Sequence, residues 1–114
     1  RGRGTILFTG ATASLRGASG YAAFAGGKHA KRALAQSMAR ELGPQGIHVA
    51  HIVIDGAIDT DFIRQNRPDI YEQRKSADGL LAPDAIAETF WQIHCQPRVA
   101  WTFETDLRPW AETW

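Results

Sequence analysis

The stretch YAAFAGGKHAKRALAQSMAREL, Tyr21 to Leu42, decides how the rest of the chain is read. Its bulky apolar residues Phe24, Leu34, Met38 and Leu42 recur at helical spacing with alanines between them, while Lys28, Lys31, Arg32, Gln36 and Arg40 supply polar positions. This pattern predicts one long amphipathic helix. Gly43-Pro44 is expected to end it, glycine by taking the left-handed conformation after the last turn and proline by being unable to continue the ladder. Gly26 and Gly27 each cost roughly 1 kcal/mol against alanine inside a helix, so a close neighbour is expected beside them.

Before the helix, Thr5 to Thr9 is a short apolar, β-prone run closed by Gly10, and a loop of small and polar residues extends from Ala11 to Gly20. After it, Ile47-His48-Val49-Ala50-His51-Ile52-Val53-Ile54 is an almost unbroken run rich in β-branched residues. That suits a strand covered on both faces in a parallel sheet. Strand, helix and strand in this order make a βαβ unit with a right-handed crossover. Beyond the Asp55 to Thr60 loop, the charged region 61–81 predicts short helices and a mobile lid. Pro83 suits a first helical position, and Ile86, Phe90 and Ile93 give the next helix an apolar stripe. The alternating run Val99 to Glu104 predicts a third strand, ahead of a tail holding Pro109, Trp110 and Trp114. The expected fold class is therefore α/β: an open, doubly wound parallel sheet of about three strands with helices. Ligands of such sheets bind beyond the C-terminal strand ends, which points to the loops 10–20 and 55–60.

Bulk properties narrow the partners. The chain has 114 residues, with 13 basic and 12 acidic side chains and a formal charge of +1, and no basic run interleaves with aromatics. A small-molecule substrate is expected, and neither a nucleic acid nor a membrane. The single cysteine, Cys95, excludes an internal disulfide, and no apolar run approaches the roughly 20 residues that span a bilayer, so a cytoplasmic, reducing setting is expected. A metal site is not expected, because His48 and His51 fall on opposite faces of one strand while His29 and the pair His94-Cys95 stand apart.

The segment Ala33 to Leu42, then Gly43-Pro44, then Gly46-Ile47-His48-Val49, is very similar to the stretch after the active-site lysine in short-chain dehydrogenases/reductases. The order of elements resembles the C-terminal half of that Rossmann-type family along essentially the whole chain. The resemblance implies hydride transfer between NAD or NADP and a carbonyl or alcohol substrate. In the family a tyrosine moves the substrate proton, a lysine one turn later lowers its pKa and holds the nicotinamide ribose, and a serine polarises the substrate oxygen.

Carried over residue by residue, Lys28 takes the lysine position. Phe24 falls where the tyrosine is expected, and Ala11 where the serine is expected, so neither hydroxyl is present. Tyr21 and Ser14 are the candidate substitutes, with Thr12 beside Ala11. Asp55-Gly56-Ala57-Ile58-Asp59-Thr60 matches the family's Pro-Gly-x-x-x-Thr except that Asp55 stands for the proline. By that match Gly56, Ile58 and Thr60 join Lys28 as cofactor-binding residues. The family's glycine-rich dinucleotide loop is not in this sequence, and the chain is expected to be the C-terminal part of a longer one. The resemblance further implies a homo-oligomer built through the long helix and the last strand, with the four tryptophans in core and interface. A non-catalytic family member acting as an oligomeric or nucleotide-binding scaffold is the second reading, favoured by Phe24 and Ala11.

Overall fold

The computed structural model describes residues 2–114. Three parallel strands, β1 (Gly4–Ala11), β2 (Ile47–Ile54) and β3 (Glu104–Leu107), form one open sheet in the order β1-β2-β3. The central strand is the unbroken apolar run, and seven of its eight residues are buried. β-branched side chains suit a pleated surface packed on both sides, and both sides are covered here. Ala50, Ile52 and Ile54 pack with Ile93, Ile86 and Phe90 of helix α4 (Pro83–His94), together with Leu7, Ile58, Leu81 and Leu107. The intervening positions of β2 face helix α1 (Ala22–Leu42), whose Arg32 reaches Glu104, the parallel partner of His51.

The long helix approaches the sheet differently from its sequence pattern. Its buried residues are Ala25 and Ala35, whereas Phe24 and Leu34 are 52% and 53% exposed. Small side chains let the helix lie close to the strands and turn Phe24 and Leu34 outward, while Met38 and Leu42 are half-buried. Nor is Gly43 left-handed: it is helical at φ −54°, the chain continues through a tight turn over Gly43–Gln45, and Gly46 takes the left-handed conformation at φ +89°. Gly46 is also where the backbone passes Gly2, whose carbonyl oxygen would lie 2.5 Å from an added β-carbon. A β-carbon on Gly26 or Gly27 would meet nothing within 4 Å, so among the described residues no close neighbour explains either glycine.

Two strand boundaries move. β1 does not stop at Gly10 but continues through Ala11, because its register against β2 carries on as Gly10↔Val53 and Ala11↔Ile54. The third strand is not Val99 to Glu104. Ala100 N–H donates to the Pro97 carbonyl in a turn, Val99 is 95% exposed, and the Gln96 side chain binds Thr102 through both its amide nitrogen and its oxygen. Trp101 stacks on His48, with ring centroids 4.6 Å apart. Only Glu104 to Leu107 reaches the open side of β2, opposite His51 to Ile54. The region 61–81 forms two short helices, α2 (Asp61–Asn66) and α3 (Pro68–Ser76). No helix among the described residues is long and apolar enough to cross a membrane.

Candidate functional site

The paired strand ends Ala11 and Ile54 open onto a hollow of about 330 Å³. A tight turn at Thr12–Ser14 carries the chain from β1 over it, and the start of α1 closes the other side. Tyr21 caps α1 with non-helical backbone at φ −120°, yet its carbonyl accepts from Ala25 N–H, so its side chain stands beside the first turn. Ala11, Thr12, Arg16, Tyr21, Phe24 and Gly56 line the hollow. The structure therefore brings together both loops expected at the strand ends.

A charged network lies under this hollow. Asp55, only 2% exposed, accepts from the Thr12 hydroxyl through one carboxylate oxygen and from Arg108 Nε at 3.1 Å through the other. Arg16 approaches the first oxygen at 3.8 Å. Burial pushes the Asp55 carboxyl up, but the hydrogen bonds from Thr12 and Arg108 and the charges of Arg16 and Arg108 outweigh it and hold the group below its ordinary value. Arg108 stacks over Trp114 at 3.9 Å and pairs with Asp106, so the C-terminal tail is tied to the site loop. Gly56, at φ +154°, belongs to the same closure: Pro109 Cδ would lie 3.0 Å from a β-carbon there. Sequence reasoning missed this network, and Asp55 in place of proline was its one visible sign.

A second, half-buried network runs along the α1 side of the sheet. His51 Nδ1 donates to Glu104 Oε2 at 3.0 Å, and Arg32 binds both oxygens of Glu104 at 2.8 Å. The Arg32 hydrogen bond is the largest influence holding Glu104 below its ordinary value; burial opposes it and His51 adds to it. Ser14 is fully buried beside this network, and its Oγ accepts from Ala11 N–H at 3.0 Å. It is not among the residues lining the hollow.

The remaining expected site residues lie nearby. Lys28 Nζ stands 5.6 Å from the centre of the Phe24 ring, as their four-residue spacing on one helix face requires. Ile58 and Thr60 line a separate, mostly apolar groove of about 650 Å³ between β1, β2 and α4, and Ile54 borders both spaces. Thr60 caps α2 by accepting from Ile63 N–H at 3.3 Å. Ile58 is fixed by a bridge to Leu81, with Asp59 N–H donating to the Leu81 carbonyl and Leu81 N–H to that of Ala57. Among the described residues no three His, Cys, Asp or Glu side chains are grouped to hold a metal ion, and His48 and His51 occupy opposite faces of β2.

Comparison with known proteins agrees with this architecture. The family model described as short chain dehydrogenase matches residues 1–70. The crystal structure of a short-chain dehydrogenase from Rhodopseudomonas palustris is 48% identical, with a TM-score of 0.70 over 96% of this chain and 40% of that one. The closed form of serine dehydrogenase complexed with NADP+ shares the fold at 17% identity, with a TM-score of 0.81 over 96% of this chain and 46% of that one. A 4-hydroxyisoleucine dehydrogenase complexed with NADH matches at 24% identity, with a TM-score of 0.71 over 92% of this chain and 45% of its own. The chain thus spans less than half the length of these solved structures. No curated protein matches. With three parallel strands, the helix carrying Lys28 and a family match over residues 1–70, the chain belongs to the short-chain dehydrogenase family.

Proposed function

We propose that the full-length protein is an NAD(P)-dependent oxidoreductase acting on a carbonyl or alcohol substrate, and that the hollow beside Ala11, Tyr21 and Phe24 is its substrate site. The observation that carries this is the position of the hollow, at the C-terminal ends of two parallel strands in a member of this family. Fit to a nicotinamide group is supported by the two adjoining spaces that Ile54 borders, one next to Gly56 and the other next to Ile58 and Thr60. Lys28, Gly56, Ile58 and Thr60 would hold that group, which when bound supplies or accepts the hydride.

Phe24 occupies the family's tyrosine position and Ala11 its serine position, so the proton must be handled by another group. Tyr21 Oη is the candidate, since Tyr21 lines the hollow, whereas Ser14 is buried and the Thr12 hydroxyl is engaged as a hydrogen-bond donor to Asp55. The segment 61–81 acts as the substrate lid, and α1, with Leu34 turned outward, and the last strand contribute to a homo-oligomer. A reductase screen of full-length wild type, Tyr21→Phe and the double variant Ala11→Ser, Phe24→Tyr tests the reading. Wild type is expected to turn over substrate, and Tyr21→Phe to lower that rate by about 10² or more.

A second reading, a nucleotide-binding scaffold without turnover, is favoured by Phe24, which faces Lys28 with no proton to give. Activity appearing only in the double variant would support it.

A further inference from the structure

Three polar side chains line the hollow, Thr12, Arg16 and Tyr21, and among the described residues Arg16 is the only charged one of its lining. The rest of the wall is small or apolar. Arg16 is carried by the turn after β1, its backbone N–H donating to the Thr12 carbonyl at 3.3 Å, so the loop that closes the hollow also fixes where its guanidinium begins.

The partners of Asp55 decide what Arg16 can do. Asp55 Oδ1 takes the Thr12 hydroxyl and Oδ2 takes Arg108 Nε, which leaves Arg16 at 3.8 Å, beyond hydrogen-bonding distance. Its guanidinium makes no hydrogen bond among the described residues, and its side chain is 51% exposed. Arg16 thus lines a small, largely apolar hollow and carries a planar donor fork, held near a buried carboxylate that other groups already satisfy. Guanidinium groups bind carboxylates through paired, charge-assisted hydrogen bonds, which a neutral ester cannot reproduce.

We infer that Arg16 is a specificity-determining residue and that the hollow takes a small substrate bearing a carboxylate. The inference rests on the proposed substrate site and names its substrate class. A hollow of about 330 Å³ lies at the small end of ligand sites and suits a short oxo acid or hydroxy acid. No acidic side chain lines the hollow among the described residues, and the nearest carboxylate, Asp55, is matched by Arg108.

The test is a calorimetric titration of the full-length protein, saturated with oxidised cofactor, with 2-oxopentanoate and 4-oxopentanoate, each against its methyl ester. Wild type is expected to bind at least one acid about tenfold or more tightly than its ester. In Arg16→Gln that ratio falls to near one, and in Arg16→Lys part of it returns. Arg16→Met serves if the glutamine variant does not fold. Equal affinity for acid and ester in wild type, a ratio that survives Arg16→Gln, or binding of neither while cofactor binds, overturns the inference. Failure to bind cofactor at all instead overturns the proposed function beneath it.

Discussion

Gly10 and His51 share one space: a β-carbon on Gly10 would lie 2.5 Å from His51 Nε2 and 3.0 Å from Ser14 Oγ. The buried imidazole, held by Glu104 on its other nitrogen, fills the volume that a side chain at position 10 would need. Gly10→Ala is therefore expected to destabilise the full-length protein by about 1–3 kcal/mol through overpacking. Urea unfolding measures this, and the cost should shrink when Gly10→Ala is placed in a His51→Ala background. A full cost in both backgrounds would show that the imidazole is not the obstacle.

Arg108 holds the buried Asp55 to the C-terminal tail at 3.1 Å. Arg108→Ala leaves that carboxylate with Thr12 and the more distant Arg16, so a loss of stability is expected from the missing hydrogen bond to a charged group. Arg108→Lys should recover only part, since lysine keeps the charge without the planar fork or its stacking on Trp114. Unfolding midpoints indistinguishable from wild type would mean that the tail does not brace the loop.

Asp55 and Glu104 both have carboxyls held below their ordinary values in the folded protein. A lowered folded pKa contributes stability that is present above the unfolded value and lost as pH falls through the folded one. Thermal midpoints should thus hold down to about pH 4, the ordinary carboxyl range, and then fall steeply. Glu104→Gln should flatten part of that acid limb while lowering stability at pH 7, because Arg32 and His51 lose their charged partner. An unchanged acid limb in this variant would contradict the assignment.

Much of the fold can be read from single segments. The β-branched run of β2, the helix limits near Leu42, and Pro83 opening a helix with Ile86, Phe90 and Ile93 inward are all local signals, and the structure obeys them. The third strand failed because alternation in Val99 to Glu104 is necessary for a strand but not sufficient. The chain before Glu104 instead turns, with Ala100 N–H on the Pro97 carbonyl, and only Glu104 to Leu107 pairs with β2. The α1 stripe misled for a related reason: close approach to the sheet selects alanine at positions 25 and 35 over the bulkier residues.

At the site, the loops were legible because topology dictates their position. The contacts of Asp55 were not, for Thr12 and Arg108 lie 43 and 53 residues away along the chain. Nothing local to Asp55 names either partner.

Fluorescence titration of the full-length protein with NADH and NADPH tests whether the helix carrying Lys28 borders a nicotinamide cofactor. Wild type is expected to bind at least one of the two, and Lys28→Ala to bind it about tenfold more weakly, the loss of roughly one charge-assisted hydrogen bond. A folded wild-type protein that binds neither nucleotide would contradict the account.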